Sequence, residues 1–499
     1  MANIRHIGKR FPDYGWSWPT GSLDQLLKAA LLPDEEAARL CAERWLDEND
    51  IDRVSFREHR LLAAISDRFG RKLAGHAAYP RLVGLQKMLW TKSRMAMREA
   101  EPALKGMVDA GCAVMLIKGA SRIALDAAAQ RGRVAHDIDI LVRPGDMQPA
   151  FDVLRDRGWQ IATGVSPQYL RTRLASLRSM NFFKGNYGDI DLHQLAYDGS
   201  QQNAEDDLAI WRRAIAARFS DVSVIVPSPA DRIALAIAHG GLDAHTHSDW
   251  LVDCTVAIEG GDVDWALFLD VIARRGLAVA AAVALSYLAL EIGIAVPEAV
   301  LAQVVGMADR RGAARLSSVL QAKPRTDFGA LTWLSRGFAK QLRLRRKKGR
   351  LKQTEPDIVW RGKSMAAKAA GGPAPFVLSQ ALGEPQGEAG EMMLDLVVRI
   401  VVPPVRRRIE MEINAGDRHV ARLRSMAISR SGGERMLRFR GKVKLDRTGR
   451  ALVLEARPSR QFRVWDNEQA VATYGALPFQ LVSARFSRPR LRRGSPQTP

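Results

Sequence analysis

Cysteine is nearly absent from this chain. Only 3 occur in 499 residues. Cys41, Cys112 and Cys254 stand far apart in apolar surroundings. This excludes a disulfide scaffold or a cysteine-ligated zinc site and fits core thiols in a reducing compartment. Aromatic residues are scarce at 7%, and no stretch interleaves them with basic residues as an RNA-reading surface would. Long hydrophobic runs are missing as well. The longest apolar passage, Leu277 to Val296, is interrupted by Ser286, Glu291 and Gly293. That pattern predicts a buried helix with a turn, not a membrane span. The opening residues, MANIRHIGKRFPDYG, contain no apolar signal core. These absences together predict a cytoplasmic protein without a transmembrane segment.

Acidic residues are outnumbered. The 75 Lys and Arg face 54 Asp and Glu, giving a net charge of +21 and a pI near 10.3. Such a surface attracts anions: nucleic acid, anionic lipid, acidic polysaccharide or nucleotides. It does not choose among them. The length allows two or three domains.

Residues 1–20, rich in Pro, Gly and Trp, read as a loose leader of a mostly helical N-terminal region, 1–110. Leu23, Leu26, Leu27, Ala30 and Leu31 share one helical face. Trp45 reads as a packing residue, and Pro102 is expected to break or kink the helix that starts near Leu82. Residues 201–330 read as largely helical, with Pro229 at a helix start and His239 near its end. His245, His247, Asp249 and Asp253 invite a metal assignment, but a loop leading into a helix fits better, with this group capping the helix and Trp250 and Val252 packing inward. Residues 331–390 form a basic linker. Its run QLRLRRKKGRLK, 341–352, is a candidate contact for a polyanion or an anionic membrane. Residues 391–486 alternate like strands between Gly, Asp and Pro turns, predicting a β-rich sandwich or barrel with mainly Arg and Lys outside. Residues 487–499 read as a disordered tail.

The stretch Met115 to Val142, MLIKGASRIALDAAAQRGRVAHDIDILV, organises the rest. An apolar strand runs into Lys118 and Gly119, a helix follows from Ala120, and a second strand carries Asp137 and Asp139. Side chains alternate along a strand, so both carboxylates share one face while Ile138 and Ile140 take the other. Paired carboxylates repel unless a cation joins them, and hard ions such as Mg²⁺ favour oxygen ligands. The segment DIDLH, 189–193, places Asp189, Asp191 and His193 on one strand face by the same alternation. His193 on that face either orients Asp191 or occupies the sheet edge. Three carboxylates around two metals can clamp the attacking and leaving oxygens of a phosphoryl displacement. Gly119 would let a phosphate approach the helix N–H groups, and Lys118 and Arg133 would offset its charge. The arginines of RTRLASLR, 171–178, are either a solvated turn or an anion contact.

KGAS (118–121), GRVAHDIDILV (132–142) and DIDLH (189–193) resemble the uncharacterised nucleotidyltransferase family of the polymerase-beta-like superfamily. The resemblance extends over residues 20 to 290. It implies an α+β fold: a polymerase-beta-like nucleotidyltransferase core at 111–200 with surrounding helices, plus the C-terminal β-rich domain. It implies Asp137, Asp139 and Asp191 as metal and catalytic residues, with Asp191 preferred over Asp189. Lys118, Gly119, Ser121 and Arg133 would contact the nucleotide. At the turn, where the superfamily often has Gly-Gly or Gly-Ser, Gly119 is followed by Ala120 and the hydroxyl of Ser121 comes one place late. The implied activity moves a nucleoside monophosphate from an NTP to a hydroxyl acceptor with Mg²⁺ or Mn²⁺. Two alternatives stay open at this point: a non-catalytic nucleic-acid or polyanion-binding protein, or a regulatory protein of a polysaccharide pathway, either of which retains the fold.

Overall fold

The computed structural model describes residues 14–54, 56–161, 166–197, 204–242, 248–308, 319–324, short pieces within 330–338, 359–362, 376–382, 390–402, 409–425, 433–445, 450–458, 463–466, 469–473 and 476–488. The chain divides into two compact units, one of residues 1–160 with 178–351 and one of 161–177 with 352–499. The basic run 341–352, the tail beyond 488, His245 and His247 lie outside the described residues.

The first unit is α+β. Four helices lead: α1 (Gly21–Leu31), α2 (Glu35–Glu48), α3 (Phe56–Phe69) and α4 (Tyr79–Asp109). Asp34 caps α2 by accepting from the amides of Glu36 and Ala37, which satisfies two otherwise orphaned donors. Trp45 is fully buried and donates to Ser22 Oγ at 2.8 Å. Pro102 does not end α4, contrary to its expected effect. Ala96, Met97 and Ala100 before it, and Ala103, Leu104 and Met107 after it, are all buried. Continuous packing along one side holds the helix across the lost hydrogen bond.

The sheet contains β1 (Val114–Leu116), β2 (Ile138–Val142), β3 (Gln160–Ile161), β4 (Ser179–Lys184), β5 (Gly188–His193), β6 (Ile215–Phe219) and β7 (Val222–Val226), in the order β3-β4-β5-β2-β1-β7-β6. β2 runs antiparallel to β1 and parallel to β5. Between strands come α5 (Lys118–Leu125), α6 (Met147–Asp156) and α8 (Ala204–Arg212), while α7 (Pro167–Arg171) lies in the segment that belongs to the second unit. The hairpin β6–β7 departs from the helical reading of residues 201–330. Its alternating apolar segment VSVIV turns at Ser220, whose φ is +52°. Five helices follow: α9 (Pro229–Ala236), α10 (Asp249–Glu259), α11 (Trp265–Arg275), α12 (Ala278–Tyr287) and α13 (Glu298–Ala308). All ten residues of α12 are buried, and a π-helical turn, Leu288–Ile292, follows it. This is the buried helix and turn expected of Leu277–Val296. Among the described residues, no helix is long and apolar enough to cross a membrane.

Residues 14–18 are not a loose leader. Ser17 Oγ donates to Val319 O at 2.9 Å, and Trp18 Nε1 donates to Ser286 Oγ at 3.0 Å. Lys323 Nζ donates to the Trp16 carbonyl at 2.7 Å. An aromatic body with one polar tip suits such an anchor.

The second unit is β-rich. Its strands are β8 (Val359–Gly362), β9 (Gln380–Leu382), β10 (Gly390–Val402), β11 (Ile409–Ala415), β12 (Arg418–Ser425), β13 (Gly433–Leu445), β14 (Leu452–Pro458), β15 (Arg463–Asp466), β16 (Gln469–Thr473) and β17 (Phe479–Ser487). They form sheets β13-β10-β17 and β8-β12-β11-β14-β9, plus the hairpin β15–β16. Leu394, Leu396, Val398 and Ile400 of β10 share one apolar cluster with Met411, Ile413 and Leu454 of the other sheet, as in a sandwich. The other face of β11 differs from the expected Arg and Lys exterior. Glu410, Glu412 and Asn414 are buried there. Arg424 pairs with Glu410 at 2.9 Å, and the Ser166 amide donates to Glu412 at 2.8 Å. The segment carrying α7 thus covers acidic residues of its own unit, with Tyr169 packed on Arg422.

Candidate functional site

Parallel pairing of β2 with β5 sets Asp139 directly beside Asp191, with Ile138 beside Ile190 and Leu141 beside His193. Adjacent strands lie about 4.8 Å apart, so side chains on one face meet. Asp139, Asp191 and His193 each offer a ligand atom, and these atoms lie within 4.8 Å of one another. His193 Nε2 is 3.0 Å from Asp139 Oδ1 and 2.9 Å from Asp191 Oδ2. The Lys118 ammonium pairs with the same Asp139 Oδ1. Asp191 Oδ1 is buried and has no hydrogen-bond partner. Two carboxylates and an imidazole, with one orphaned carboxylate oxygen, suit a divalent cation.

The electrostatics follow from this crowding. Burial opposes ionisation of Asp139, yet Lys118 and His193 hold its carboxyl well below the usual range. Burial likewise opposes a charged His193, but the two carboxylates hold its imidazole above the ordinary value. Asp137 lines the same pocket but stands outside the Asp139–Asp191–His193 group. Burial and the neighbouring Asp139 push its carboxyl upward.

The turn from β1 into α5 aims the next side chains. Lys118 has φ +53°, a left-handed backbone that costs a non-glycine residue about 1–3 kcal/mol. The burial of Ile117 and the ion pair to Asp139 hold it there. Ser121 is buried, and its hydroxyl donates to the Lys118 carbonyl at 2.6 Å, closing the first turn of the helix.

These residues open onto a cavity of about 270 Å³ walled by three helices. α5 contributes Lys118, Gly119, Ser121 and Arg122. α9 and the turn after it contribute Arg232, Leu235, Ala236 and His239, the i, i+3, i+4, i+7 face of one helix. α10 contributes Asp249, Trp250, Asp253 and Val256. Five cationic side chains, Arg60, Lys118, Arg122, Arg133 and Arg232, line the cavity with four carboxylates, Asp137, Asp139, Asp249 and Asp253. His239 is pushed down to about 4 by burial and Lys118, and His136 to about 3 by burial, Arg60 and Lys92.

Residues 56–291 match the family model described as uncharacterised nucleotidyltransferase. Over these residues the chain is similar to that family. No curated protein and no solved structure matches the chain. The nucleotidyltransferase region contains every strand and helix of the cavity, and its Asp–Asp–His cluster fits nucleotidyl transfer.

Arg133 stands in this pocket differently from its expected role toward a triphosphate. Its Nε and Nη2 donate to Asp253 at 2.9 Å each, and Nη1 lies 2.6 Å from Asp249. Asp249 and Asp253 therefore are ion-pair partners rather than helix caps, while Trp250 and Val252 are buried as expected. The guanidinium also explains Gly119. A Cβ there would stand 2.6 Å from Arg133 Nη2 and 2.8 Å from Cζ. The two carboxylates prevent that group from yielding easily. Gly119→Ala is expected to cost about 1–2 kcal/mol, because overpacking exceeds the roughly 1 kcal/mol helix gain of alanine. A melting curve at or above that of the parent would refute this account of the glycine.

Of the residues chosen from sequence, Lys118, Gly119, Ser121, Arg133, Asp137 and Asp139 line the one cavity, and Asp191 adjoins it through Asp139. Arg178 instead donates to the carbonyls of Leu195 and Ala196, at 3.4 and 3.3 Å. Arg60, Arg122 and Arg232 were not singled out. Arg122 had a legible signal, since it follows Lys118 by four residues on the same helical face. Arg232 had none beyond its helix face.

Proposed function

We propose that this chain transfers a nucleoside monophosphate from an NTP to a hydroxyl acceptor. The register that puts Asp139 beside Asp191 carries this reading. Asp137, Asp139 and Asp191 would hold Mg²⁺ or Mn²⁺, with His193 orienting the latter two. The bound ion would supply Lewis-acid stabilisation of phosphate charge. Asp191, at the rim of the cluster, helps remove the proton of the acceptor hydroxyl. That oxygen bonds to the α-phosphorus as the bond to the pyrophosphate group breaks, and pyrophosphate leaves. The chain's contribution is positioning and charge compensation. Lys118 neutralises carboxylate charge at the turn, and Gly119 lets phosphate oxygens near the first amides of α5.

The full chain incubated with each of four labelled NTPs and Mg²⁺ or Mn²⁺, with mass analysis of proteins and co-purified molecules, tests the proposal. Label should move to a hydroxyl-bearing acceptor, and EDTA should stop the transfer. Failure to consume any of the four with either ion would overturn the reading.

A further inference from the structure

Four guanidinium groups, Arg60, Arg122, Arg133 and Arg232, and the Lys118 ammonium line the cavity with four carboxylates, Asp137, Asp139, Asp249 and Asp253. The distribution of contacts shows which guanidinium groups are least compensated. Arg133 donates from Nε and Nη2 to Asp253 and pairs through Nη1 with Asp249. Arg60 lies 3.2 Å from Asp249. Arg122 reaches Asp253 only at 3.6 Å, beyond hydrogen-bond length. Its Nε and Nη1 are buried without an acceptor, and so is Nε of Arg232. Burial pulls the Arg232 guanidinium down, with Asp253 the one compensating charge.

A buried guanidinium N–H without an acceptor is costly to leave unmade. Arg122 on α5 and Arg232 on α9 both line the cavity that also holds Lys118, so their guanidinium groups can together meet a multiply charged anion. Arg133 cannot serve, because its donors are already taken by carboxylates. We infer that Arg122 and Arg232 grip the phosphate chain of the nucleotide, while Arg133 is the strut that holds α10 against α5. This inference rests on the nucleotidyl-transfer reading for its ligand class. The apolar side chains of Leu235 and Ala236 on α9 and of Val256 on α10 line the rest of the cavity.

Inorganic tripolyphosphate is the direct probe, because its binding needs neither acceptor nor turnover. Calorimetric titration of the full chain without divalent ions should show binding. Arg122→Gln and Arg232→Gln should each weaken it about tenfold or more, the scale of one charge-assisted bond at roughly 1.4 kcal/mol per decade. Arg218→Gln, at an exposed position, should leave it unchanged. Arg122→Lys and Arg232→Lys keep the charge and lose the fork, so they should give intermediate affinities and remain informative if a glutamine variant fails to fold. Absence of tripolyphosphate binding, or unchanged affinity in the folded Arg122 and Arg232 variants, would overturn the inference. If tripolyphosphate binds through these two arginines but no NTP turns over, the phosphate site stands and the transfer reading falls.

Discussion

If the chain transfers nucleotides as proposed, Asp139→Asn is expected to lower that transfer by about 10³-fold or more, equivalent to roughly 4 kcal/mol of transition-state stabilisation. The reason is the position of this carboxylate. It meets Asp191 across the strand pair, His193 across the same face and Lys118 from the turn before α5. Asparagine retains shape and one acceptor oxygen for Lys118 and His193. The strands should therefore stay paired, and the melting temperature should move by no more than about 5 °C. Titration with Mn²⁺, followed by electron paramagnetic resonance, should show a bound ion in the parent and loss of it in the variant. Asp189→Asn, two residues before Asp191 and outside the ligand group, should keep near-parental turnover. Undiminished transfer by the folded Asp139→Asn protein would defeat the assignment.

The part of this geometry that alternation controls was legible in the chain. Period-2 placement put Asp191 and His193 on one face of β5, whereas Asp137, expected on a face with Asp139, precedes β2 and lies outside the Asp139–Asp191–His193 group. What alternation leaves open is which strand pairs with which; the motif resemblance went only as far as preferring Asp191 over Asp189, and the β2–β5 pairing is a property of the fold. The rest depends on contacts distant in sequence. Arg133 reads as a phosphate ligand until Asp249 and Asp253, more than 110 residues later, are brought against it. Local pattern has no means of pairing a guanidinium with those two carboxylates. Trp18 reads as part of a loose leader until Ser286 meets its indole. Pro102 obeys its intrinsic preference only where tertiary packing is weak, and the side of α4 around it is buried. Residues 161–177 look like a loop within the catalytic core, but their contacts are with the β-rich unit. The cue there was the buried polar face Glu410, Glu412 and Asn414, which an alternating pattern marks as outward without saying what covers it.

Arg133→Met should destabilise the first unit more than any other single change considered. Removing one member of a buried ion group leaves charge without compensation, at about 3–5 kcal/mol. The lower end applies, because Arg60 at 3.2 Å from Asp249 and Arg122 at 3.6 Å from Asp253 remain as partial partners. With roughly 2–4 °C lost per kcal/mol for a unit of this size, melting should fall by about 6–12 °C. Hydrogen exchange should show α5 and α10 losing protection first, since Arg133 joins them. The origin of the cost is separable. Adding Asp249→Asn and Asp253→Asn to Arg133→Met removes the stranded charges and should restore a large share of the stability. If the triple variant melts no higher than Arg133→Met, the loss is one of packing over Gly119, and the strut is steric rather than electrostatic.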